Sequence, residues 1–473
     1  MTAVESRTLP TWATPPPRTN HPPTWWPHAA LAATYMTAFT ILAIARYQRF
    51  ADTSWDLGIF TQVAQGWASG HIPTVTIKGE DYLILGDHWS PILVLLGPLW
   101  RIWPSPIMLL TLQAALFAWS VGIVSDTAAK VLRNRTRGLL IGVAYGLSWG
   151  LQRALDVQYH EIAFAVPLLA IVGRHLLLRH WTKAFCWALP LLLVKEDLGL
   201  TVVAVGLLLL INRRRCLGPL LLVVGFGWTA CALWWWIPAF NPAGFDYWAK
   251  LPGVGDHTAA GAVLFSLVTR HAVWTTLGWL AGCTAFLALR SPLAVLTLPT
   301  LAWRFVSDNP VYWGRDWHYS AVLMPILFLA AVDGIRRCRT SDRRWVQVWA
   351  RNAVPTVLAI AATCTVAAPL AVADLVDPGT YRGGPHAAAL RAALRSIPDG
   401  ATVESGYGPL AHLAARTQVY WPDGLKSRPP QFILTEDDRP GQLVADQAGA
   451  GHPGHTYRVV FHRERVTVVR LAD

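Results

Sequence analysis

The sequence predicts a polytopic α-helical membrane protein of about eleven transmembrane helices, with a small C-terminal α/β extracytoplasmic domain. Three observations lead there. The chain of 473 residues is 53% hydrophobic and 14% charged, whereas an ordinary soluble domain carries roughly a quarter charged residues. Apolar runs of membrane-spanning length recur along it. From about residue 374 that pattern gives way to short alternating segments punctuated by Pro and Gly.

The elements follow in chain order. Residues 1–27 are Pro-rich and lack the apolar core of a signal peptide, which reads as a disordered cytoplasmic tail. The membrane domain covers 28–373 and opens with a span at 28–45, a long outer loop at 46–90 and a short apolar stretch at 92–100. Further spans lie near 106–131, 138–149, 162–178, 184–194, 198–211, 217–237, 273–289, 293–303, 319–335 and 354–373. Several are shorter than the roughly 20 residues a bilayer asks for, so their ends stay open and a re-entrant segment is an alternative. The 25 tryptophans suit this setting, because an indole is at home at headgroup level.

Orientation follows from charge. Basic clusters at Lys130 to Arg137, Arg179 and Lys183, Arg213 to Arg215, and Arg336 to Arg344 assign alternate loops to the cytoplasm, and the N-terminus with them. The remaining loops hold nearly all the acids ahead of the tail: Asp52, Asp56, Glu80, Asp81, Asp87, Asp156, Glu161, Glu196, Asp197, Asp246, Asp256, Asp308 and Asp316. The net charge of +12 is thereby a topology signal, and no nucleic-acid partner is expected. The six cysteines, Cys186, Cys216, Cys231, Cys283, Cys338 and Cys364, have no CxxC spacing, so they indicate neither a disulfide framework nor a zinc site.

The region 374–473 is a small α/β domain, placed outside by an odd number of spans. HAAALRAALRSI has helical period, while ATVES, TQVYW, QFILTE, TYRVVFH and RVTVVRL alternate as strands.

Polar groups concentrate in five outer segments: SWDLGIF, GDHWSP, DVQYHE, VKEDLG and RFVSDNPVYWGRDWHYS. Charges at membrane depth are costly and face a protein interior or a watery cavity, so folding is expected to gather these segments around one site. The candidates are Asp56, Asp87 and His88 for catalysis. His160, Glu161, Lys195, Glu196, Asp197, Arg304, Arg315 and His318 are the candidates for binding substrate and donor phosphate. A carboxylate can take a proton from an acceptor hydroxyl, and Lys, Arg or His can neutralise a phosphate leaving group. No cofactor is certain; the carboxylates could instead hold a divalent cation.

Plainer readings stand beside these. Asp56 is equally an N-cap for a helix starting at Leu57, GDHWSP a capped turn, and Lys195 to Asp197 a salt-bridged turn.

WDLGIFTQ, GDHWSPILVLLGPLWRIWPSPIMLLTLQ, YHEIAFAVPLLA, LLVKEDLGLTVVAVGLLLL and IPAFNPAGFDYW, over about 55–334, resemble a bacterial family of predicted membrane proteins carrying a domain of unknown function. That family is similar in architecture to the GT-C glycosyltransferases, which use polyprenyl-phosphate sugars. The resemblance implies a multi-pass protein of the bacterial plasma membrane. Its partners would be membrane lipids, a polyprenyl-phosphate-linked sugar donor, and a glycan, lipid or protein acceptor of the cell envelope. It makes Asp56 the base, although DLG is not the paired-acid motif of several GT-C families. A lipid or solute transporter or flippase, or a non-catalytic envelope scaffold, is the alternative.

Overall fold

The structure, a computed structural model, describes residues 25–51, 54–241, 244–245, 247 and 267–472. The Pro-rich segment up to residue 24, together with Asp52, Asp246 and Asp256, lies outside the described residues.

Among the described residues, five helices are long and apolar enough to cross a bilayer: Trp26–Gln48, Pro106–Leu132, Leu217–Phe240, His318–Arg339 and Arg344–Ala367. Pro91–Ile102, Trp181–Leu193, Leu198–Ile211 and Pro292–Val306 are shorter apolar helices. His318–Arg339 is the central element, with 94% of its most apolar stretch enclosed by protein. A helix apolar on every side belongs in such an interior.

Three spans differ from expectation: that at 273–289 is helical only over His271–Gly282 before the chain turns. The run at 138–149 is split into Arg135–Gly146 and Trp149–Asp156, with Ser148 in extended backbone between them. There the chain packs too tightly for a side chain, since a Cβ on Gly146 would come within 2.3 Å of the Tyr35 ring. The last span begins at Arg344 rather than 354, with Arg344 and Arg351 on its first turns.

A small mixed sheet closes the chain. β1 (Thr402–Ser405), β2 (Gln418–Tyr420), β3 (Phe432–Glu436), β4 (Tyr457–Arg463) and β5 (Val466–Leu471) lie in the order β2-β1-β3-β5-β4. β1 runs parallel to both β2 and β3, while β5 is antiparallel to β3 and β4. The expected helix forms at Pro385–Arg395.

The sheet shares a core with the segment 54–90. Val403, Leu410, Leu413, Val419 and Leu434 pack in one cluster with Leu57, Phe60, Val63, Ile77 and Leu109. Hydrogen bonds line that seam: Thr76 donates to the Val419 carbonyl at 2.6 Å, and Gln65 to the Ala415 carbonyl at 3.1 Å. Glu80 accepts from the Lys426 and Ser427 amides, each at 3.1 Å.

Helix polarity then positions the site. Leu198–Ile211 starts beside Asp197 and runs on to Arg213. His318–Arg339 starts at His318 and ends among Arg336, Arg337 and Arg339. In both, the outer-segment polar group stands at one end and the basic cluster at the other.

Candidate functional site

Asp56 lies in the first turn of the helix Trp55–Ala68 inside the long outer loop. The helix begins before Asp56, so its carboxylate is not an N-cap. The residue ahead of the helix, Ser54, is held by the C-terminal region: its hydroxyl donates to the Tyr407 carbonyl and accepts from the Ala411 amide at 3.0 Å. Trp55 completes the contact, its ring 4.8 Å from Trp421 and 6.1 Å from Tyr407. The Asp56 carboxylate itself makes no hydrogen bond or ion pair among the described residues. Burial pushes its pKa up, with Glu161 adding to that and His160, Lys195 and Lys78 opposing.

Around it the expected residues form linked pairs. Glu161, 2% exposed, accepts from Lys195 Nζ at 3.0 Å, and its other oxygen stands 2.7 Å from His160 Nδ1. Glu196, also buried, bonds His88 Nδ1 at 2.8 Å and accepts from the Trp89 amide at 3.0 Å. GDHWSP is therefore more than a turn, since His88 ties the first outer loop to the Lys195–Asp197 hairpin. Asp87 pairs with Lys78 at 2.5 Å and accepts from the Tyr82 hydroxyl at 3.3 Å and the Tyr247 hydroxyl at 3.5 Å.

Opposing forces set the charge states. Burial pushes the Glu161 carboxyl up, but His160 and Lys195 outweigh it and hold the group well below the usual range. Burial works against a charge on Lys195, yet Glu161, Glu196 and Asp197 keep it protonated. Asp197 is the exception: burial, reinforced by Glu196, pushes it up to about 6 despite Lys195.

The His160 imidazole stacks on His318 with centroids 3.7 Å apart and planes at 29°. The edge of Phe60, one turn beyond Asp56, meets His160 at 5.5 Å. Asp56, His160 and His318 each offer a ligand atom within 4.8 Å of the others.

The two arginines do not join this cluster. In place of the expected phosphate contact, Arg304 is fully buried and donates to the Tyr312 and Gly314 carbonyls at 2.9 and 2.7 Å and to the Ser320 hydroxyl at 3.1 Å. It staples its own loop. Arg315 lies over the Trp279 ring at 4.3 Å and takes no part in the ion pairs just described.

These polar segments thus come from across the chain to one centre, and the family comparison covers all five of them. A family model described as Predicted membrane protein (DUF2079) matches residues 46–442. The chain belongs to the DUF2079 family. It is a multi-pass membrane protein, in keeping with that description and its apolar helices. Among solved structures, the chain is similar to ArnT from Cupriavidus metallidurans in the apo state. The identity is 12% and the TM-score 0.47, over 93% of this chain and 98% of that one. No curated protein matches.

Sequence reading missed several participants in this DUF2079 site. Lys78 and Tyr247 are lone residues in polar loops, and only the fold shows that both face Asp87. Gln113 sits inside an apolar helix, where it donates to the Gln158 carbonyl at 2.7 Å and accepts from the His160 amide at 3.1 Å. A buried glutamine in a spanning helix was the available signal, because such a group must find partners. Gln158 itself has φ +65°, a strained backbone for a side-chain-bearing residue that Gln113 helps hold.

Proposed function

We propose that this protein is an integral-membrane glycosyltransferase that moves a sugar from a polyprenyl-phosphate donor to a cell-envelope acceptor on the outer face. One observation carries the reading: Asp56 is a carboxylate unbonded among the described residues, raised by burial, within electrostatic reach of Lys78 and Lys195. Displacement at a sugar phosphate asks for that combination. A base draws the proton from the acceptor hydroxyl, whose oxygen forms the new bond to the anomeric carbon. The bond from that carbon to the phosphate oxygen breaks, and the phosphate leaves with the electron pair, its charge met by nearby cations.

Asp56 is the base in this scheme. Lys195 and Lys78 supply positive charge, while Glu161 and Asp87 orient them. His88 and Glu196 fix the two outer segments relative to each other. The resemblance of WDLGIFTQ and the later motifs to a family similar in architecture to the GT-C glycosyltransferases supports the same assignment, with the C-terminal region facing the outer space and the N-terminus the cytoplasm.

The test is mass spectrometry of lipid-linked sugars in cells carrying wild type, Asp56→Asn or Asp56→Glu, at matched membrane levels. Accumulation of one polyprenyl-phosphate sugar and loss of an envelope glycan with Asp56→Asn, partly relieved in Asp56→Glu, supports the transferase. Unchanged sugar pools and glycans reject it and favour transport or scaffolding.

A further inference from the structure

We infer that Asp56, His160 and His318 form a binding site for one divalent transition-metal ion of the zinc class. The three come from separate elements: the helix of the first outer loop, the turn after Trp149–Asp156, and the start of the central helix His318–Arg339. Their ligand atoms already lie within 4.8 Å of one another. Ligands bound tetrahedrally at about 2.0–2.2 Å stand roughly 3.4 Å apart, so an inward adjustment of about 1.4 Å or less completes the set.

Each member has the chemistry of a waiting ligand. His318 is 4% exposed, and its Nδ1 has no hydrogen-bond partner among the described residues. A buried polar atom left unmatched is costly, and a bound cation removes that cost. The Asp56 carboxylate is likewise unbonded among the described residues. His160 has Glu161 2.7 Å from its Nδ1, and Lys195 holds that carboxylate in turn. A carboxylate behind a histidine is the usual outer support of a metal-bound imidazole. Stacking of the two rings at 3.7 Å gives them a shared orientation.

The donor set suits such an ion. Two nitrogens and one oxygen select a zinc-class ion over magnesium or calcium, which prefer all-oxygen cages. Three protein ligands leave a coordination position open, as in catalytic rather than structural sites.

The site goes beyond the transferase reading and does not depend on it, because ion binding is measured without turnover. In that reading, one Asp56 oxygen on the ion leaves the other for the acceptor proton.

The experiment uses the full chain in detergent, stripped with chelator, re-equilibrated with Zn²⁺ or Co²⁺ and passed over gel filtration. Wild type is expected to retain one ion per chain, with X-ray absorption showing two imidazoles and at least one oxygen on zinc. Losing an outer-shell partner costs metal affinity about 10–100-fold, so His318→Gln, His160→Gln and Asp56→Asn are each expected to cost more. The exposed His71→Ala should bind as wild type. If wild type retains no stoichiometric ion, or absorption shows no imidazole, the site is rejected; that readout needs no variant to fold. Retention at wild-type affinity by His318→Gln or by Asp56→Asn also rejects it. Stoichiometric ion retention by wild type, together with unchanged sugar pools in Asp56→Asn cells, upholds the site and counts against the transferase alone.

Discussion

Lys195, Glu196 and Asp197 are three charges in a row between two apolar helices, and their surroundings treat each differently. Glu196 is matched by His88 and the Trp89 amide, and Lys195 by Glu161. Asp197 is the one that burial pushes up, to about 6. The consequence for stability has a definite sign. In the unfolded chain the carboxyl gives up its proton near 3.9, while the folded protein keeps it until about 6. Between those values the folded state binds more protons than the unfolded state, so this group makes stability fall as pH rises. Asp197→Asn has no such proton to lose. Thermal unfolding in detergent should show the variant gaining on wild type as pH climbs from about 4 to 6, then holding a constant advantage. An advantage equal at pH 4 and pH 7 would mean that Asp197 does not titrate in that window.

At the scale of elements, the site depends on how closely two helices cross. Leu198–Ile211 and Leu217–Cys231 meet through glycines: a Cβ on Gly199 would lie 2.2 Å from Thr229 Oγ1 and 2.8 Å from the Gly225 carbonyl oxygen. Thr229 in turn donates to the Glu196 carbonyl at 2.9 Å. Overpacking a tight contact costs about 1–3 kcal/mol, and here it pushes on the hairpin carrying Lys195. Gly199→Val should therefore lower the unfolding temperature, whereas Gly227→Val should not, since a Cβ on Gly227 meets nothing within 4 Å among the described residues. Equal effects of the two changes would refute a specific contact.

Elements of this kind were unevenly legible. Leu198–Ile211 was readable to the residue because its apolar run is bounded by charge on both sides, and the five strands declared themselves by alternation. The break at 147–148 was not readable, because Gly146 and Ser148 interrupt nothing in a hydropathy profile. Candidate site residues clustered visibly in the outer segments, but the pairings His88–Glu196 and Lys78–Asp87 depend on how the loops fold together. Arg304 looked like a phosphate ligand for the same reason: sequence shows a charge and not what already occupies it.

At the scale of the whole molecule, the C-terminal sheet is built as a clamp on the first outer loop. Val403, Leu410, Val419 and Leu434 share a core with Leu57, Phe60, Val63 and Ile77, on the helix and loop surrounding Asp56. Ser54, two residues before Asp56, donates to the Tyr407 carbonyl and accepts from the Ala411 amide. A chain ending at residue 383 keeps every apolar span and the Arg46–Asp374 ion pair at 2.5 Å, but it uncovers that apolar face. Burial contributes roughly 25 cal/mol per Å² of apolar surface, and the helix Trp55–Ala68 is too short to persist on propensity alone. Hydrogen exchange should thus rise sharply across 54–68 in the truncated chain while remaining slow in the central helix His318–Arg339. Its apolar stretch is enclosed by the other membrane helices rather than by the sheet, and its core residues fall in the separate membrane cluster. Restoring the sheet but replacing Leu410 with Asp should reproduce the same local loss, because Leu410 is fully buried against Gly58. Unchanged protection at 54–68 in both proteins would show that the helix carrying Asp56 is held by the membrane domain alone, and that the sheet serves some purpose other than positioning this site.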